Sequence, residues 1–160
     1  MQLEIERKFL VKGDGWRSQG TGVLYRQGYL STVPERSVRV RLVRDKAYLT
    51  IKGITVGATR AEYEYEIPAE DAGEMLDNLC LHPLIEKTRY RLQHHGLIWE
   101  VDEFEGDNAG LVLAEVELEQ EDQAVILPDW VGKEVTGDPR YYNARLITEP
   151  YKQWAPKDSH

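Results

Sequence analysis

Apolar and polar residues alternate along most of this chain, and they do so at the two-residue period of β-strands. Strand-like stretches occupy 2–10, 24–31, 37–43, 47–53, 60–67, 85–92, 97–104 and 111–119. Turn residues separate several of them: Asp14-Gly15, Arg44-Asp45-Lys46, His95-Gly96 and Gly106-Asp107-Asn108. Three segments break the period. Ala72, Met75, Leu76 and Leu79 recur at helical spacing and predict a helix over 69–80. Its first turn carries Glu70 and Asp71, where the helix dipole favours acids. A short helix is expected at 119–125. A third should start at Asp138-Pro139, an N-cap followed by proline at the first helical position, and run to about 149. Residues 150–160 read as a loosely held tail. So many antiparallel strands in one small chain favour a sheet closed into a barrel, which removes exposed edges. The fold class expected is α+β, mainly β.

The polar half of the alternation is unusual because it is ionic. Glu4, Glu6 and Lys8 share one strand face, with Leu3, Ile5 and Arg7 on the other. Arg39 and Arg41 oppose Val38, Val40 and Leu42; Thr50 and Lys52 oppose Leu49 and Ile51. Arg60, Glu62, Glu64 and Glu66 align against Ala61, Tyr63, Tyr65 and Ile67. Lys87, Arg89 and Arg91 form a cationic column; Glu100 with Asp102, and Glu115 with Glu117 and Glu119, form acidic ones. Any one of these strands reads well as half-exposed in water. The set reads differently, because the charges segregate by strand. Like charges two residues apart lie roughly 7 Å from one another and repel unless a counter-charge or ligand sits among them. One arrangement uses all of them: charged faces inside a barrel, apolar faces outside beneath the helices. The acids would hold hard divalent cations through oxygen, and the Arg and Lys columns an oligophosphate.

Bulk properties agree. The 160 residues fit one domain, and a net charge of −8 argues against nucleic-acid binding while leaving room for a locally concentrated cationic site. Cys80 is the single cysteine, so no intramolecular disulfide is expected, which suits a reducing, cytoplasmic compartment. No apolar run approaches a membrane span.

In these residues the sequence resembles the CYTH, or triphosphate tunnel metalloenzyme, superfamily. Glu4-x-Glu6-x-Lys8 matches the signature ExExK. Further matches follow in order: Arg26-Gln27-Gly28-Tyr29-Leu30, Val38-Arg39-Val40-Arg41-Leu42, Thr50-Ile51-Lys52, Glu62-Tyr63-Glu64, Glu86-Lys87-Thr88-Arg89-Tyr90, Glu115-Val116-Glu117, and Gly132-x-Glu134-Val135-Thr136 leading to Arg140-Tyr141-x-Asn143. The resemblance covers residues 1–149 as a single CYTH domain, followed by the 150–160 tail. It implies a closed tunnel of eight antiparallel strands with a charged lumen and helices packed outside. For short bacterial members it implies hydrolysis of inorganic tripolyphosphate with one or two Mg²⁺ or Mn²⁺ ions. By position, Glu4, Glu6 and Glu117 match metal-holding acids, and Glu115 and Asp102 acids of the same or a second metal. Lys8, Arg39, Arg41, Lys52, Lys87, Arg89 and Arg140 match phosphate-binding cations, and Glu4, Glu6, Lys8 and Arg89 are the candidates closest to catalysis. Tyr29, Glu62 and Glu64 are further lumen candidates. The resemblance also allows a homodimer.

The expected reaction is in-line attack of water on a terminal phosphorus, with the cations stabilising charge on the transferring group and the leaving pyrophosphate. Other readings share the scaffold: a class IV adenylate cyclase, a thiamine triphosphatase, or a non-catalytic sensor of polyphosphate or a nucleoside triphosphate. A thiamine site would want an aromatic contact from Trp16, Trp130 or Trp154. Intact acid columns favour an enzyme over a sensor. His94 and His95 read as turn residues rather than a zinc pair, since no third ligand is spaced for one. Cys80 reads as a small buried hydrophobe, and Tyr63, Tyr65 and Tyr90 as packing outside the barrel.

Overall fold

A computed structural model describes residues 2–154. Nine strands form: β1 (Leu3–Val11), β2 (Gly22–Ser31), β3 (Ser37–Val43), β4 (Lys46–Lys52), β5 (Thr59–Ile67), β6 (Leu81–His94), β7 (Leu97–Phe104), β8 (Val112–Glu117) and β9 (Val131–Glu134). They are joined by two α-helices, α1 (Ala69–Asn78) and α2 (Asn143–Leu146), and by short 3₁₀ turns. The sheet runs β5-β4-β3-β2-β6-β7-β8-β1, and β5 pairs back onto β1 to close an eight-stranded antiparallel barrel. β1 accomplishes the closure by dividing its length. Leu3, Glu4 and Ile5 pair with β5, and Glu6 through Leu10 pair with β8. β9 adds to the far end of β1 outside the ring.

Closure turns each alternating strand into a stave with one face inward. The β6–β7 hairpin shows how local chemistry sets the register. Its two-residue loop, His95-Gly96, has positive φ at both positions (49° and 80°), the mirror-image turn whose twist matches the flanking strands. Gly96 takes that conformation without a steric penalty.

The outward apolar faces are covered in two ways. α1 seats Ala72 and Leu76, both fully buried, on Val40 and Ala47. At the end of α1, Cys80 packs beside Gly28, where a Cβ would lie only 2.8 Å from the cysteine Cβ. Elsewhere the cover is irregular chain. Trp16 and Trp130 cap a cluster with Phe9, Trp99, Val101 and Val116, and Trp99 meets Trp130 edge-on at 5.7 Å. Tyr90 packs outside against Trp16 as expected, with ring centroids 5.0 Å apart. Among the described residues no helix is long and apolar enough to cross a membrane.

Three expectations about elements need correction. No helix forms at 119–125. There the Glu121 carboxylate accepts from Ala58 N at 3.0 Å and Thr59 Oγ1 at 2.9 Å, and the Gln123 side chain accepts from Glu119 N, so side chains compete with the helical ladder. The helix expected from Asp138 is split. Asp138 does cap a 3₁₀ turn (Pro139–Tyr141) by accepting from Arg140 N, but Tyr142 is extended (φ −71°, ψ 132°) before α2 begins. β9 was not anticipated at all, because four residues are too few to show a period.

The third correction concerns the tail. Pro150 and Tyr151 are buried, Tyr151 N donates to Asn108 Oδ1 at 2.9 Å, and Trp154 Nε1 donates to Glu149 O at 3.0 Å. The part of the tail beyond Trp154 lies outside the described residues. Tyr141, Leu146, Ile147 and Tyr151 pack onto Leu10, Tyr29, Ile85, Phe104 and Leu113. Those five partners occupy the same alternation as the lumen residues of their strands, so the apolar cluster fills one end of the barrel. Leu146→Ala should therefore cost about 2–5 kcal/mol, as for other large-to-small core changes. Chemical denaturation measures it, and an unchanged midpoint would mean that the segment is not part of the core.

Candidate functional site

The lumen encloses a cavity of about 880 Å³ lined by β-strand side chains and by Thr136, Tyr142 and Asn143 of the C-terminal segment. Strand order decides how its charges are arranged. β1 and β2 stand four strands apart in both directions round the ring, so they face each other. β1 and its neighbours β5 and β8 carry Glu4, Glu6, Glu62, Glu64, Glu115 and Glu117. Opposite, β3 and β6, the neighbours of β2, carry Arg39, Arg41, Lys87 and Arg89. The barrel thus has an acidic wall and a basic wall. Separation by strand, which in sequence is only a list of columns, becomes separation across a cavity.

The two intervening staves, β4 and β7, supply counter-charges. On β7, Asp102 is buried and accepts from Arg89 Nε at 2.7 Å, Arg89 Nη2 at 2.8 Å and Lys87 Nζ at 2.7 Å. Burial alone would raise the Asp102 pKa, but Arg89 and then Lys87 hold it well below the usual carboxylate range. On β4, Lys52 Nζ donates to both carboxylate oxygens of Glu4, at 3.0 and 2.9 Å, and lies 3.3 Å from Glu62. Arg60 adds a contact to Glu4 at 3.6 Å. Burial opposes ionisation of Glu4, yet Lys52 keeps its pKa below the ordinary value.

Within the acidic wall Lys8 sits 3.6 Å from Glu115 and donates to Tyr141 O at 3.2 Å. Against its burial, Lys8 and Arg89 bring the Glu115 pKa down to about 2. Glu6 fares differently. Loss of water, then Glu115 and Glu4, push it up to about 8. Burial and the hydrogen-bonded Glu4 raise Glu62 to about 7, and burial with Glu4 and Glu100 raises Glu117. Glu4, Glu6, Glu62, Glu64, Glu115 and Glu117 line this side of the cavity beside Lys8, Lys52 and Arg60, so carboxyl groups outnumber the cations next to them.

The basic wall has the converse surplus. Burial, with Arg39 and Arg89 nearby, lowers the pKa of Arg41, and burial pushes Lys87 down to about 7 despite Asp102. Arg39 contacts Thr50 Oγ1 at 3.3 Å and Glu64 at 3.8 Å, while its Nε is buried with no hydrogen-bond partner. A buried donor left unpaired costs about 1–3 kcal/mol, which an oxyanion in the cavity would remove.

Most residues singled out in the sequence converge here: Glu4, Glu6, Lys8, Tyr29, Arg39, Arg41, Lys52, Glu62, Glu64, Lys87, Arg89, Glu115 and Glu117 all line the cavity. Two do not fit the expected role. Asp102 is buried against Arg89 and Lys87 on the basic side and does not line the cavity, contrary to its expected place among the metal-facing acids. Arg140 is exposed, its guanidinium bonded to Asp138 (Nη2–Oδ2 2.8 Å) and near the Tyr141 and Trp154 rings, because the 3₁₀ turn faces it outward. None of Trp16, Trp130 and Trp154 lines the cavity, whose aromatic lining is tyrosine: Tyr25, Tyr29, Tyr48 and Tyr142. His94 and His95 meet edge-on with ring centroids 4.4 Å apart, and no group of three His, Cys, Asp or Glu at metal-binding distance occurs among the described residues. Arg60 and Glu100, aligned in sequence with Glu62 and Asp102, also line the cavity, as does Asn143 of the matched C-terminal motif. Tyr25 and Tyr48 line it too and were not singled out; strand parity with Tyr29 and with Thr50 and Lys52 would have found them.

The donor chemistry of Glu4, Glu6 and Glu117 fits a hard divalent cation. All three line the cavity and offer carboxylate oxygens, the donor type such an ion takes.

Comparison with known proteins agrees with this arrangement. Residues 2–144 match the CYTH domain family. An inorganic triphosphatase of Acetivibrio thermocellus is 55% identical over 154 residues, 96% of this chain and 99% of that protein. An inorganic triphosphatase of Nitrosomonas europaea is 42% identical over 150 residues, 89% of this chain and 95% of that one. The crystal structure of an inorganic triphosphatase superposes with a TM-score of 0.62 at 39% identity, covering 89% of this chain and 96% of that chain.

The Asp102 cluster yields a stability prediction. Its depressed pKa means that its contribution is fully present above the unfolded value of about 3.9 and is lost as pH falls below it. Asp102→Asn strips the buried cations of their partner and should cost about 3–5 kcal/mol at pH 7. The variant should also lose less stability than the parent between pH 5 and pH 3. Urea titrations across that range test both, and parallel pH curves for the two proteins would contradict the assignment.

Proposed function

This chain belongs to the CYTH domain family, and we propose that it hydrolyses inorganic tripolyphosphate inside the barrel, with Mg²⁺ or Mn²⁺ as cofactor, in the cytoplasm. The observation that carries the reading is the pair of opposed charge surpluses. A polyanion alone would satisfy the basic wall and aggravate the acidic one. A divalent cation alone would do the reverse. A triphosphate bound together with a metal satisfies both in one cavity. The names of the relatives in Acetivibrio thermocellus and Nitrosomonas europaea support the same substrate.

Arg39, Arg41, Lys87 and Arg89 would grip phosphoryl oxygens, the arginines through forked donors and Lys87 as a point charge. Arg89 and Lys87 are already fixed by Asp102, so little reorganisation is needed when the substrate arrives. Water adds to a terminal phosphorus in line with the bridging oxygen. The bridging P–O bond breaks, and orthophosphate and pyrophosphate result. The same cations offset the charge that develops on the leaving pyrophosphate. Glu4, Glu6 and Glu117 would hold the divalent ion, which supplies neutralisation of phosphate charge and a polarised water. Lys52 keeps Glu4 ionised for that role. The buried thiol of Cys80 suits a reducing compartment.

Phosphate release should be followed with tripolyphosphate, thiamine triphosphate, ATP and pyrophosphate, each with and without Mg²⁺. Tripolyphosphate with Mg²⁺ should give the highest kcat/KM, and Glu6→Gln should lower it about 100-fold or more while the protein stays folded, in keeping with loss of a charge-stabilising group. Full activity of Glu6→Gln, or cyclic AMP as the main product from ATP, would overturn the reading.

A further inference from the structure

β2 is the centre of the basic wall, yet the residues it turns inward, Tyr25, Gln27 and Tyr29, carry no charge. Gln27 is fully buried. Its carboxamide joins two lumen residues directly and a third through one of them. Oε1 accepts from Arg41 Nε at 3.0 Å, and Nε2 donates to Asn143 Oδ1 at 2.7 Å. Lys87 Nζ donates to the same Asn143 oxygen at 2.9 Å.

The polarity of this network follows from its ends. A guanidinium and an ammonium only donate. Arg41 therefore requires an oxygen from residue 27, which leaves the amide nitrogen to face Asn143. Lys87 independently requires that Asn143 present its oxygen. A carboxylate at 27 has no donor for Asn143, and an amine has no acceptor for Arg41. Tyr25 adds a second restraint, with the Arg41 and Arg89 guanidinium carbons 5.0 and 4.9 Å from its ring centroid. An amide and an aromatic ring thus hold cations that would otherwise repel one another.

We propose that Gln27, with Asn143 as its partner, is a positioning residue that sets the Arg41 guanidinium and the Lys87 ammonium at the spacing that grips tripolyphosphate. The proposal rests on the triphosphatase reading and adds to it. Arg41 is held through Nε, which leaves its terminal nitrogens for the substrate. Asn143 also connects the C-terminal segment to the phosphate site, so the segment that fills one end of the barrel orders the cations as well.

The experiment is a double-mutant cycle read by calorimetric binding of tripolyphosphate without metal and by kcat and KM with Mg²⁺. The proteins are the parent, Gln27→Met, Arg41→Ala and the double variant, with thermal unfolding as a control. Met keeps the volume of Gln27 and removes its hydrogen bonds. Gln27→Met should weaken binding and raise KM about tenfold, the effect of losing one hydrogen bond to a charged group. On the Arg41→Ala background it should add less than about twofold, because it acts through Arg41. An unchanged KM, or effects that multiply independently, would overturn the proposal. If Gln27→Met does not fold, the corresponding cycle of Asn143→Ala against Lys87→Ala decides by the same criteria. A parent protein that neither binds nor hydrolyses tripolyphosphate refutes the triphosphatase reading and the proposal with it. A parent that hydrolyses it while both cycles are additive refutes the proposal alone.

Discussion

A charge inside a closed sheet has lost much of its water, and it is tolerated only beside an opposite charge or a bound ligand. That constraint organises this barrel. Closing eight alternating strands with their ionic faces inward places acids and bases where they must be matched. Some matches are internal. Asp102 serves Arg89 and Lys87, Lys52 serves Glu4, and Glu115 serves Lys8. What is left over is not random. Excess acid remains around Glu6 and Glu117 on one wall, and excess base around Arg39 and Arg41 on the other. On the proposed reading, a cation and a polyanion bound together complete the protein.

The pairing order of the strands makes this possible. Had an acid-bearing strand stood beside β2, the excesses would have cancelled as surface-like ion pairs. Instead β4 and β7 lie between the walls and each contributes a counter-charge to its neighbour. Neutral β2 stands between two cationic staves. The C-terminal segment then does two jobs: its apolar residues fill one end of the barrel, and Tyr141 O and Asn143 Oδ1 accept hydrogen bonds from Lys8 and Lys87.

Much of this is legible in the sequence, because strand alternation is a local property. The eight barrel strands, the inward direction of Glu4, Arg39, Lys87 and Glu115, and helix α1 all follow from parity or helical spacing. Partnership is less legible. Asp102 and Glu117 look alike as acids on alternating strands. Only register shows that Asp102 stands beside Arg89, away from the cavity that Glu117 lines. Arg140 was matched by position, but a 3₁₀ turn of three residues decides its direction, and no period spans so short an element. β9 escaped for the same reason, and Asn143 stood in the matched C-terminal motif without a role. Gln27 and Tyr25 were overlooked because neutral residues do not attract attention in a charged pattern, although they share the parity of Tyr29.

The central claim is that the two walls take two different ligands at once, and a crystal structure with Mn²⁺ and tripolyphosphate, using the anomalous signal of the metal, tests it most directly. The account predicts manganese against Glu4, Glu6 and Glu117, with phosphoryl oxygens against Arg39, Arg41, Lys87 and Arg89. Manganese at Asp102, or tripolyphosphate bound outside the lumen, would contradict it.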